Sequence, residues 1–255
     1  MTLRSLAAAA LLGLAAAAPA ARGQGPAEQH VAIGDRERTG NPASALRHYE
    51  AAIATDARHY EALHKASAAA IDAGESAPDA ARRTALYRSG EQHARRAVEA
   101  NPNHAEGHFA LARALGRTAQ SVGSRERVKY AADVRTHALE ALRLDPRHPG
   151  ALHVLGVWHA EIMRLSGVTR FMAKNFLGGK VFDSASWDEA QRHLEQAVAV
   201  EPNRLVHRVD LAEIYLDRKN VAKAREQVEY VLKAPATEAN DAKYKRQAEA
   251  LQKRM

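Results

Sequence analysis

The 255-residue chain carries 13 His, 30 Asp or Glu and no Cys. Without thiols there is no disulfide, no cysteine zinc site, no iron–sulfur cluster, no cysteine nucleophile and no acylated lipoprotein Cys. His104 and His108 stand four apart, a helical spacing that can turn two ring nitrogens onto one ion, but no third ligand lies near them in sequence. Gly178-Gly179-Lys180 is followed by Val181 and lacks the upstream Gly of a phosphate-binding loop. Asp188 and Glu189 fall where a helix begins, and acids there favour the positive end of the helix dipole. No catalytic residue, cofactor or metal is therefore expected, and the chain should act by binding.

The elements that must present a binding surface are helices. Ala fills 56 positions, against 15 Gly and 9 Pro, a balance that favours helices over a sandwich or barrel. At the N-terminus Arg4 precedes an apolar run from Leu6 to Ala18, followed by Pro19-Ala20-Ala21-Arg22-Gly23. That run is too short to span a bilayer and has the shape of a secretory signal over residues 1–23, with cleavage near 20 or 23. The alternative is an uncleaved Ala-rich helix. Export, to a periplasm or outside the cell, is the expectation. The formal charge is +7, with acids and bases interleaved, which reads as a solvated surface and not as a nucleic-acid footprint.

An internal repeat governs residues 24–236. Its turns are Thr55-Asp56-Ala57, Ala100-Asn101-Pro102, Leu144-Asp145-Pro146 and Glu201-Pro202. Each follows one stripe of small and large apolar residues: Ala45, Tyr49, Ala52; Gly90, Ala94, Ala97; Val134, Ala138, Ala141; Ala190, Leu194, Ala197. After the turns come Leu111-Ala112, Leu155-Gly156 and Leu211-Ala212. This pattern resembles the tetratricopeptide repeat, in which helix A and helix B form a 34-residue hairpin. The resemblance implies an all-α, right-handed superhelical solenoid of about five units, the first incomplete, with residues 237–255 as a C-terminal capping helix. Turns recur at residues 57, 102, 146 and 202, wider than the plain repeat, so insertions are expected between helix A and helix B, around Gly74 to Asp79, Ser121 to Ser124 and Ser166 to Ser186.

The chain further resembles the regulator of microtubule dynamics family. The matching residues are Arg127-Val-Lys-Tyr130, His137-Ala-Leu-Glu-Ala141, Leu144-Asp-Pro146, His153-Val-Leu-Gly-Val-Trp158, Arg170-Phe-Met-Ala-Lys174, Ser186-Trp-Asp-Glu-Ala190 and Leu211-Ala-Glu-Ile-Tyr-Leu216. The resemblance implies an interaction array, with eukaryotic relatives tied to microtubules and organelle membranes. An export signal departs from that pattern.

The repeat's groove-facing positions, carried over residue by residue, include His64, Phe109, Arg113, Arg117, His153, Val157, Val206, Val209 and Glu213. Apolar area beside cations would suit a peptide helix, or an acyl chain with an anionic head. Equally, the insertions could fold back and bury these side chains as core. The Lys and Asn pattern of a chaperone-tail clamp is missing. In the longest insertion, Val168, Phe171, Met172 and Phe176 share one helical face and Arg170 and Lys174 the other. That helix could pack its aromatic face onto the fourth repeat, close the groove as a lid, or lie on an anionic membrane. The leading expectation is a non-enzymatic scaffold for a protein or peptide partner; the alternative is a carrier of lipid or another amphiphile, with peripheral membrane contact.

Overall fold

The computed structural model describes residues 25–176 and 179–255, so the signal segment at 1–23 lies outside the described residues, as does the side chain of Phe176. Five helical pairs stack in order: α1 (Pro26–Glu37) with α2 (Pro42–Thr55), α3 (Tyr60–Ser76) with α4 (Ala80–Ala100), and α5 (Ala105–Thr118) with α6 (Ser124–Leu144). Then come α7 (Pro149–Arg164) with α9 (Trp187–Val200), and α10 (Leu205–Asp217) with α11 (Val221–Lys233). Between α7 and α9 lie α8 (Gly167–Phe176) and a 3-10 turn, Lys180–Ser184; α12 (Asp241–Gln252) ends the chain. This is the right-handed tetratricopeptide solenoid that the stripes predict. Among the described residues no helix is long and apolar enough to cross a membrane.

The repeated turn shows why the hairpins form. The side-chain oxygen of Asp56, Asn101 or Asp145 accepts the backbone N–H two residues on, at 3.0–3.2 Å. Three residues later His59, His104 and His148 stand at the N-caps of α3, α5 and α7, where Nδ1 accepts an orphan N–H of the first turn. Each turn thus stops one helix and starts the next with local bonds alone. The stripes then bury small residues: Ala52, Ala94, Ala97, Ala112, Ala138, Ala141, Ala190 and Ala197 are fully covered. Such residues let backbones come close, which a 34-residue hairpin needs because it cannot bury its apolar face alone.

The first two insertions take a form that spacing does not reveal. Helices α4 and α6 each run 21 residues, and the connections before them shrink to residues 77–79 and 119–123, the latter holding a 3-10 turn at Ala119–Ser121. Most of the extra chain is helix, added at the N-terminal end of helix B, where Tyr87 and Val128 join the core. Only the third insertion makes a separate element.

The inner wall of the stack consists of α3, α5, α7 and α10, each touching the next, and α12 packs on both α10 and α11. Tyr244, Ala248 and Leu251 of α12 join Leu205, Val209, Val228 and Val231 in one apolar cluster. α12 therefore stands where a sixth helix A would. Its first turn also reaches across the hollow to the last turn of α3, so the inner helices close into a ring.

Gly156 marks the tightest helix crossing in the core of the fourth pair. A Cβ there would lie 2.7 Å from Leu194 Cγ and 3.1 Å from the Ala190 carbonyl oxygen. In an open helix Gly→Ala gains about 1 kcal/mol; Gly156→Ala should instead destabilise the fold by about 1–3 kcal/mol through overpacking, read as a lower urea midpoint at unchanged helicity.

Candidate functional site

The hollow of the ring is built on charge. Helix α3 runs a full turn beyond the usual length of helix A, which brings Glu75 inward; its carboxylate side chain is completely covered. Arg117 of α5 lies 2.7 Å from it and Arg113 at 3.6 Å, while Lys243 Nζ donates at 3.1 Å and the Tyr244 hydroxyl at 3.0 Å from α12. Arg113 also donates to Asp72 at 2.6 Å. Asn240 completes the closure, accepting from Ser76 Oγ at 2.8 Å and donating to the Asp72 carbonyl at 3.3 Å. Burial by itself would raise the Glu75 pKa, but Arg117, Arg113 and Lys243 outweigh it and bring the carboxyl down to about 2. Burial opposes the charge on the Arg113 guanidinium, but Asp72 and Glu75 outweigh it and hold it more firmly charged than usual.

Across the hollow a hydrogen-bonded chain joins α7 to α10. Asp210 Oδ2 lies 3.2 Å from His153 Nε2, His153 Nδ1 2.9 Å from His207 Nδ1, and His207 Nε2 3.1 Å from Glu201 Oε2. Proton positions are assigned by requiring one donor per bond. His207 Nε2 donates to an ionised Glu201, so His207 Nδ1 accepts from His153 Nδ1, and the lone pair of His153 Nε2 faces the Asp210 carboxyl. The titration behaviour agrees. Burial lifts Asp210 to about 7, with Glu213 and Glu75 adding to it against Arg117 and Arg164. Burial, then the charges of His207, Arg117 and Arg113, press His153 well below the ordinary imidazole range. Burial likewise lowers His207, and the bond from His207 lowers Glu201.

The structure assigns each groove candidate a place. His64 is half-buried with its ring 5.1 Å from Tyr60, and burial holds it neutral with a pKa of about 4. Phe109 lies flat on Gly150, where a Cβ would come within 2.4 Å of its ring, and 4.7 Å from the His148 ring. Val209 is only 4% exposed and belongs to the core, and Val206 packs on the same cluster. Val157 stays half-exposed on the inner wall. Glu213 faces Arg164 at 3.3 Å and Arg254 at 3.9 Å.

These positions correct two expectations. Val209 is spent on the core and leaves the groove's apolar set, while Phe109, Val206 and Val157 stay half-buried. Nor do Arg113, Arg117 and His153 wait for an anionic head, since Asp72, Glu75 and Asp210 already face them. Residues absent from the sequence-based set are Glu75, Asp210, Asn240, Lys243 and Tyr244. Glu75 lies past the standard end of helix A, Lys243, Tyr244 and Asn240 meet α3 only through tertiary closure, and Asp210 meets His153 only across the hollow, so no local signal announces them.

The long insertion also departs from one expectation. α8 docks through Ala173, 5% exposed, against Trp158, Ile162 and Phe182, while Val168, Phe171 and Met172 point outward at 76%, 60% and 48% exposure. The aromatic face therefore does not pack onto the fourth repeat. Arg170 Nη1 donates to Met163 Sδ at 3.2 Å, and Lys174 pairs with Asp183 at 2.9 Å.

One His and Glu cluster brings ligand-type atoms within 4.8 Å of each other: His159, Glu189 and His193. Its hydrogen bonding does not fit a metal. The Ser186 N–H donates to His159 Nδ1 at 3.3 Å, which leaves the proton on Nε2, and the Arg192 guanidinium lies against both Glu189 and His193 Nε2. A ligating His instead donates its second nitrogen to an acceptor.

Stacked helical hairpins with a closed inner wall define a tetratricopeptide-type scaffold. Its similarity to TTC0263, a thermophilic TPR protein of Thermus thermophilus, is of that kind: TM-score 0.64 at 20% identity, over 89% of this chain and 98% of that one. The chain belongs to the regulator of microtubule dynamics protein 1-3 family, whose model matches residues 30–255. More distant likeness extends to MamA from Desulfovibrio magneticus RS-1, with a TM-score of 0.47 at 15% identity over 81% and 93% of the two chains. It also extends to YrrB, described as a TPR protein with an unusual peptide-binding site, at 0.44 and 14% over 89% and 88%. No curated protein matches the sequence.

Two titrations follow from this geometry. The Glu75 carboxyl has a folded pKa below its unfolded one, so its stabilisation is complete above pH 4.5 and lost as pH falls toward 2; Glu75→Gln should remove about 3 kcal/mol at pH 7 and flatten that acid limb in urea unfolding. Asp210 behaves oppositely: its folded pKa is raised from 3.8 to about 7, so stability is highest below 3.8 and declines as pH rises to 7. Asp210→Asn removes the titrating group at similar volume, and its urea midpoint should exceed that of the parent at pH 8 by more than at pH 5.

Proposed function

We propose that this protein is an exported, non-enzymatic scaffold that holds a basic segment of a protein partner on the open half of its inner wall. The observation that carries this reading is the unequal filling of the hollow. On the α3 side Glu75 is sealed; on the α7 and α10 side acids stay accessible, with Glu161 at 62%, Glu213 at 38% and Asp210 at 30% side-chain exposure. One guanidinium, Arg164, is shared among Glu161, Asp217 and Glu213, with Arg254 at 3.9 Å from Glu213, while Arg117 is held by Glu75. A guest carrying Lys or Arg meets the accessible carboxylates of Glu161 and Glu213 there, which share Arg164 between them, with Val157 and the edge of the inner wall beneath it. Electrostatic complementarity of this kind chiefly sets specificity and association rate. Export rests on the residue pattern at 1–23. The amphiphile-carrier alternative has less support, because Val209 is committed to the core and the guanidiniums it would offer an anionic head already face Asp72 and Glu75.

The test is site-specific photocrosslinking in the source cells from Val157, on the inner wall, and from Arg88, exposed on the outer helix α4. Adducts should form from 157 alone, and the double substitution Glu161→Lys with Glu213→Lys should cut their yield about tenfold while helicity is kept. Equal adducts from both positions, or none lost on charge reversal, would reject this binding surface.

A further inference from the structure

We infer that α8 is a docking helix for an anionic lipid surface, a site separate from the inner wall. Large exposed apolar side chains among the described residues are Leu139, Val168, Phe171, Met172 and Val221. Three of these sit on one turn and a half of α8, at i, i+3 and i+4, and so form one face. The helix is attached by the opposite face, through Ala173 packed beside Trp158 and Phe182, which leaves the apolar face clear of the solenoid. No neighbouring repeat needs α8, because the other insertions extend helix B instead.

Three arguments select a membrane over other occupants. From Gly167 to Asp183 the chain has Arg170, Lys174 and Lys180 against one acid, Asp183, which pairs with Lys174, so α8 and its flank carry a net positive charge that suits anionic headgroups. Three side chains offer a few hundred Å2 at most, whereas a stable protein interface needs about 800 Å2 from each side. A second copy would bring the same cations face to face across a two-fold axis. A ten-residue helix with an outward apolar face and flanking bases fits shallow insertion in the plane of a bilayer, reversible because so few side chains enter.

The experiment is flotation of the full chain with vesicles of phosphatidylcholine containing phosphatidylglycerol, compared with phosphatidylcholine alone, at low and high salt. The wild type should float with the anionic vesicles and less so at high salt. Phe171→Ser with Met172→Ser should lower the floated fraction at least about tenfold without loss of helicity, both side chains being exposed already. Failure of the wild type to float overturns the inference, as does flotation unchanged by the double substitution. A fall in sedimentation mass on that substitution would also overturn it, since α8 would then join two copies. None of these outcomes bears on crosslinking from Val157.

Discussion

A single covered carboxylate holds the hollow of this solenoid in shape. Glu75 gathers Arg117, Arg113, Lys243 and the Tyr244 hydroxyl, and these come from α5 and α12 as well as facing α3. Removing one member of such a buried set leaves the others charged and unpaired, which typically costs about 3–5 kcal/mol, more than a surface pair by several fold. Repeat arrays otherwise hold together by neighbour contacts alone. Here the second and the last units are tied directly, which couples the ends of an architecture that would otherwise fray independently from each side.

That closure also decides what the inner wall can accept. In an open solenoid the whole concave face is offered. In this one α12 takes the position of a sixth helix A and seals the α3 side, so the accessible wall narrows to α7 and α10. Because the cations of the hollow are neutralised by acids of the same chain, its remaining character is set by the accessible Glu161 and Glu213. The proton on Asp210 belongs to the same arrangement: burial and two neighbouring acids keep it on, and the two imidazoles lead from it to Glu201 at the repeat turn.

The architecture was legible because it is written locally. The Asx turn, the His cap three residues later and the Ala-rich stripe recur along the array, and each acts within a few residues of chain. Insertion lengths were legible, but their form was not, since a longer helix B and a longer loop give the same turn spacing. The candidate site was less readable. Position counting found Arg113, Arg117, His153 and Glu213 on the inner wall, and misplaced Val209, because whether an inward valine is free depends on α12, which no repeat pattern describes. Glu75 and Lys243 are 168 residues apart; nothing short of the folded ring brings them together. α8 shows the reverse case, in which periodicity gave the apolar face correctly and only packing could tell that it points away from the core.

The central claim is ring closure by α12 upon α3, and its most direct test is a distance between them in solution. The chain has no Cys, so Pro78→Cys and Arg246→Cys place two spin labels at exposed positions flanking the closure. Pulsed electron resonance should return one short, narrow distance that broadens and lengthens when Glu75→Ala is added. A broad distribution in the parent, or a narrow one indifferent to Glu75, would contradict the account.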